Sequence, residues 1–107
     1  MPGRQILLLN PPLINGVAFT RQGRCQEREE VLGTTKPPYS LALLAALLRD
    51  RGVDVRVVDQ TAERLSSEAL IARLRAEAFS PSLIVFCSST PTLDADVVEA
   101  TKLKCAF

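Results

Sequence analysis

The 107-residue chain contains no histidine. That absence removes imidazole as a general base near neutral pH, as the partner that activates a serine or cysteine, and as a metal ligand. Cysteine is sparse: Cys25, Cys87 and Cys105 are odd in number and far apart, which argues against a disulfide framework and a four-cysteine zinc site. Free thiols are the default reading. An excess of charge of either sign is also missing, since 13 Lys plus Arg against 12 Asp plus Glu leave a net charge of +1. Neither nucleic acid nor an anionic membrane is therefore an expected partner. Long hydrophobic runs are absent as well. The longest, residues 41–48, falls far short of the roughly 20 residues a bilayer core needs and is closed by Arg49, Asp50 and Arg51. The first residues show no signal-peptide cleavage pattern, and a cytoplasmic location is expected.

What is present fits one small globular domain over residues 1–107, with 47% hydrophobic and 23% charged residues. Residues 6–9 (ILLL) read as a buried parallel strand because their polarity does not alternate, and Pro11 and Pro12 stop it. The polar stretch that follows reaches Lys36 and carries Asn15, Gly16, Gly23, Gly33 and a charge cluster at 24–30. It reads as a long loop with a short helix around residues 25–32, and a loop of that length is usually functional or disordered.

Residues 38–50 are strong helix formers with prolines at their start, and Gly52 ends the helix. Leu41, Leu43, Leu44, Leu47 and Leu48 cover more than one face, so burial by the sheet on one side and by a neighbour on another is expected. Residues 53–58 read as a second strand with Asp59 at its end. Ser66 or Ser67 then caps a second helix to about residue 78, in which Leu70, Ile71 and Leu74 share a face. Residues 82–87 form a third, wholly apolar strand, and a third helix follows over 93–104.

This alternation specifies an α/β class: a Rossmann/flavodoxin-like parallel sheet with helices on both faces, truncated to about three strands. In the flavodoxin-like order 2-1-3, a crevice opens above the carboxyl ends of strands 1 and 3. The loops lining it start at Asn10 and Ser88. Their prolines, hydroxyls and amides hold a fixed shape and offer uncharged hydrogen bonds, which suits a large neutral or zwitterionic ligand.

Known phosphate motifs are missing. Asn10-Pro11-Pro12-Leu13 stands where a dinucleotide fingerprint needs its glycines, and Gly33-Thr34-Thr35-Lys36 neither follows a strand nor has Walker spacing. A phosphorelay receiver would carry carboxylates where this chain has Asn10 and Cys87-Ser88. Cys87 reads as a packing residue, because apolar surroundings raise a thiol's pKa and make it inert. Asp59 occupies the position of a ribose-binding acid but, without the glycine turn, reads as a turn residue or helix cap. Tyr39 either packs over the crevice or staples the helix entry. Thr92 reads as a cap for the third helix. Two hydroxyls, Ser88 and Ser89, exceed what one cap needs and read as ligand contacts.

Three segments, ILLLNPP at 6–12, KPPYSLALLAALLRDRGVDVRVVDQTAE at 36–63 and SPSLIVFCSSTPTLDADV at 80–97, together resemble the N-terminal cobalamin-binding domain of B12-dependent radical SAM enzymes. That group includes methyltransferases and the anaerobic Mg-protoporphyrin monomethyl ester cyclase. The resemblance implies that Asn10, Pro11 and Pro12 lie beside the corrin and that Ser88, Ser89 and Thr90 lie near the nucleotide tail, with Tyr39 an additional cofactor-binding position. It departs from the other large cobalamin family, whose Asp-x-His-x-x-Gly motif gives cobalt a histidine. It also implies that the [4Fe–4S] cluster and S-adenosylmethionine belong to a radical SAM domain elsewhere in a longer parent chain, because the Cys-x-x-x-Cys-x-x-Cys run is missing here. The piece itself is then expected to be non-catalytic. A second reading, from the class of interaction proteins, is a homodimer formed through the open edge of the third strand. A third, a flavodoxin-like enzyme acting on a small metabolite, is weakened by the missing histidine and glycine loop.

Overall fold

The aliphatic run at the start of the chain makes β1 (Gln5–Asn10) a strand covered on both faces, with Leu7, Leu8 and Leu9 closed to solvent. In the computed structural model, which describes residues 4–17, 39–88 and 92–107, β1 is the middle of a three-stranded parallel sheet. Its neighbours are β2 (Asp54–Asp59) and β3 (Leu83–Phe86), giving the expected α/β class and the order β2-β1-β3. The helices are α1 (Tyr39–Asp50), α2 (Gln60–Glu63), α3 (Ser67–Ala76) and α4 (Leu93–Ala106).

Side chains alternate across a strand, so β1 feeds two cores. Ile6 and Leu8 meet Val55 of β2 and Leu41 and Ala45 of α1 on one face. Leu7 and Leu9 meet Val58, Phe79, Leu70 and Leu74 of α3 and Leu103 of α4 on the other. Helices thus cover both faces, and the chain changes face between α1 and α3.

Local chemistry explains the boundaries. Gly52 ends α1 at φ 79°, a left-handed turn that glycine enters without strain, and its N–H reaches Arg49 O at 3.0 Å. Ser66 Oγ accepts from Ala69 N at 3.1 Å and caps α3. That helix stops at Ala76 instead of reaching residue 78, because Ala78 turns left-handed at φ 54° and the chain dives inward to bury Phe79. The Arg56 guanidinium lies 4.9 Å from the Phe79 ring centre and pairs with Glu77. Arg73 grips Glu63 through both guanidinium nitrogens, tying α3 to α2. The hydrogen bond first, and the carboxylate charge second, hold the Arg73 pKa above its ordinary value.

Three further expectations change. The single turn α2 is absent from the sequence reading. The outer face of α1 has no second neighbour among the described residues: Leu43 is 66% and Leu47 56% exposed. Finally, β3 is apolar but only half-buried, with Leu83 52% exposed, because no described strand pairs with its outer edge. The short helix expected at 25–32 lies outside the described residues. Among those described, no helix is long and apolar enough to cross a membrane.

Candidate functional site

The register aligns the ends of the strands: Asn10 faces Asp59, and Leu9 faces Phe86, so Cys87 comes beside Asn10. All three side chains project on the α1 side of the sheet, and they form one polar row across its carboxyl edge. Asn10 Nδ2 donates to Asp59 Oδ1 at 2.8 Å, and Cys87 Sγ donates to Asn10 Oδ1 at 3.2 Å. The same Asp59 oxygen accepts from Ala62 N at 3.0 Å, which caps α2. Asp59 therefore acts as the cap that its sequence context suggested. Cys87 is half-buried against the α1 core, as a packing residue.

The chain leaving β1 is fixed from the side by α2. Thr61 Oγ1 donates to Pro11 O at 2.7 Å, and Pro11 is buried while Pro12 is half-buried. A tight turn follows at once: Ile14 and Val17 exchange backbone hydrogen bonds of 2.9 Å around Asn15 and Gly16, both at positive φ. This is a mirror-image hairpin turn, which Asn-Gly favours. Asn15 and Gly16 lie in the stretch expected to be an irregular loop, and the Asn-Gly pair is the sequence signal of the turn.

After β3 a second polar knot forms. Ser88 Oγ and Thr92 Oγ1 both donate to Asp96 Oδ2, at 2.7 and 2.8 Å, and Asp96 is 1% exposed. Thr92 stands at the N-cap position of α4, but its side chain makes no cap hydrogen bond; the expected cap is corrected to a strut on Asp96. Asp96 itself was missed. Its signal was its place one turn after Thr92, since residues i and i+4 of a helix are neighbours.

Of the sequence-derived site residues, Asn10, Pro11, Pro12 and Ser88 come together along the carboxyl edge. Tyr39 begins α1, whose antiparallel run starts at this same edge, and its side chain is 70% exposed. Ser89 and Thr90 lie outside the described residues. Gln60, also at this edge, is fully buried, with Nε2 donating to Leu65 O at 3.1 Å and Oε1 without a partner among the described residues. The described residues contain no group of carboxylates and thiols able to hold a metal ion. Chemically the described edge is an uncharged rim, because Asp59, Asp96 and the Asn10 amide are taken up in bonds within the protein.

Comparison of the sequence with models of protein families, with curated proteins and with solved structures finds no match.

Proposed function

We propose that this domain is a cofactor-holding module and that its ligand is cobalamin, seated against the carboxyl ends of β1 and β3. The observation that carries the reading is the divergence of the two chains leaving those strands. From β1 the chain passes to α1 on one face; from β3 it passes to α4 on the other. Open α/β sheets hold their ligands at such a switch point.

The residue chemistry fits the group. Asn10, Pro11, Pro12 and Ser88 are uncharged, and Asp59 and Asp96 are occupied by Asn10, Ala62, Ser88 and Thr92. A rim of this kind matches a corrin edged with neutral amides. With no histidine in this sequence, bound cobalamin would have to do without an imidazole from it. Bound cobalamin would supply a methyl carrier or one-electron partner. The [4Fe–4S] cluster and S-adenosylmethionine chemistry would come from a separate radical SAM domain, because Cys25, Cys87 and Cys105 are too scattered to hold the cluster.

Titration with hydroxocobalamin, followed by visible spectrum and by co-elution on a sizing column, tests the reading. Saturable binding with the spectrum of base-off cobalamin is the expected result, and Ser89→Leu weakens it with the fold retained. A flavin or nucleotide co-purifying with the protein, or affinity untouched by Ser89→Leu, would overturn the cobalamin placement.

A further inference from the structure

We infer that Asn15 is a site of spontaneous covalent modification, in which the Gly16 nitrogen attacks the Asn15 side chain and ammonia leaves, and that the turn holding both residues sets the pace. The chain contains two asparagines, and they stand at opposite extremes for this reaction. Asn10 precedes Pro11, whose nitrogen carries no hydrogen and cannot attack. The Asn10 amide is also buried and held by Asp59 and Cys87. Asn15 precedes a glycine, and both residues are exposed. Among the described residues, no hydrogen bond engages the Asn15 side chain or the Gly16 N–H.

The step balances with water alone. Hydroxide takes the Gly16 N–H proton, and the nitrogen's electron pair forms a bond to Asn15 Cγ. The bond from Cγ to Nδ2 breaks, and the departing nitrogen takes a proton from water, leaving as ammonia and restoring hydroxide. Water then opens the cyclic imide at either carbonyl. One product is aspartate; the other is an isoaspartyl linkage, in which the backbone runs through the side-chain carbon. The reaction stands whether or not a ligand occupies the carboxyl edge.

Glycine leaves the attacking nitrogen unshielded. Even a Cβ at Gly16 would meet nothing within 4 Å, so this flank of the turn is open to hydroxide and water. The closed turn, however, holds the reacting atoms apart. With φ of 50° at Asn15 and 77° at Gly16, it has the mirror-image form in which the first of the two residues keeps ψ at about +30°. At that angle Cβ of Asn15 and the Gly16 nitrogen lie on opposite sides of the Cα–C bond, whereas closing the imide ring needs them on the same side. The reaction therefore runs through the opened turn. Opening breaks only the two 2.9 Å bonds between Ile14 and Val17, and neither core takes part. Two backbone bonds of ordinary net strength keep the closed form in excess by about 10-fold.

The product cannot close the turn as the parent does. Either form adds a carboxylate, which cancels the chain's net charge of +1. The isoaspartyl form also lengthens the backbone between Ile14 and Val17, so that their reciprocal bonds no longer both form. A turn that opens reversibly becomes one that stays open, on the chain leaving β1.

Incubation of the unaltered protein at mildly alkaline pH, followed by ion exchange, intact mass and peptide mapping, tests the proposal. The expected result is deamidation at residue 15 and none at residue 10, with aspartyl and isoaspartyl forms both present. The rate rises in proportion to hydroxide, and in guanidinium chloride it rises about 10-fold because the turn is lost. In the purified isoaspartyl form the Val17 amide exchanges faster than in the parent, while the β1 amides stay protected. Asn15→Ser abolishes the reaction. No conversion at residue 15 of the folded protein, over a time in which a peptide of residues 12–17 is converted, would overturn the proposal. Equal rates in folded and denatured protein would overturn it too, as would a Val17 amide that exchanges alike in the isoaspartyl form and the parent.

Discussion

Asn10, the last residue of β1, donates its side-chain amide to Asp59, the last residue of β2, across 2.8 Å. The other end of the same amide accepts from Cys87, the residue after β3. One side chain thus fastens all three strands at the edge where the ligand is proposed to sit. It also means that the polar atoms most visible in the sequence at that edge are committed to the fold. The proposed recognition then rests on other groups of the chain leaving β1 and β3 than these committed atoms.

Removing this fastening has a measurable cost. Asp59→Ala loses both the Asn10 bond and the α2 cap, and is expected to lower stability by about 1–3 kcal/mol in urea titration. Asp59→Asn keeps an acceptor for Ala62 and for Asn10, and should cost less than half as much. A double-mutant cycle on Asn10→Ala and Asp59→Ala should give a coupling of roughly 0.5–3 kcal/mol. Additive losses would show that the two residues act separately.

The frame was legible because it follows from burial. A strand with solvent on neither face reads as an uninterrupted apolar run, and that identified β1. The switch from strand to helix period then gave the alternation, and the alternation gave the parallel sheet. What escaped was held by contacts distant in sequence. The four residues of α2 have no period of their own; they turn because Asp59 caps them, Gln60 reaches Leu65 O and Thr61 reaches Pro11 O. The bond from Ser88 to Asp96 escaped as well, because its two partners stand eight residues apart on either side of the start of α4.

The Asp96 knot makes a second prediction. Ser88→Ala and Thr92→Val each remove one donor and should cost about 0.5–1.5 kcal/mol, whereas Asp96→Ala strands two hydroxyls in a buried site and should cost about 1–3 kcal/mol. Chemical denaturation of the three variants checks the order. An Asp96→Ala variant as stable as Ser88→Ala would mean that the carboxylate is not the hub.

Helix α1 offers a contrast between its two faces. Leu41 is buried against Ile6, Leu8 and Val55, so Leu41→Ala should destabilise by about 2–5 kcal/mol. Leu43 is largely exposed, and Leu43→Ala should stay within about 0.5 kcal/mol of the unaltered protein. A large loss at Leu43, measured by the same denaturant titration, would show that its face is covered in solution.

Gly16 and Gly52 both sit at positive φ, and a Cβ at either would meet nothing within 4 Å. The cost of alanine at each is therefore one of backbone conformation alone, about 1–2 kcal/mol. The consequences differ because of what each turn holds. Gly52 turns α1 into β2, a strand whose loss dismantles the sheet, so Gly52→Ala should lower the global urea midpoint, and Gly52→Asn should lower it less because asparagine tolerates the left-handed region. The turn at Gly16 carries only the mutual bonds of Ile14 and Val17, and opening it leaves both cores intact. Gly16→Ala should therefore keep the midpoint while the Val17 amide exchanges faster. Since that turn begins the loop beside the proposed crevice, the same variant should weaken cobalamin binding; unchanged affinity with a demonstrably opened turn would place the ligand away from the β1 loop.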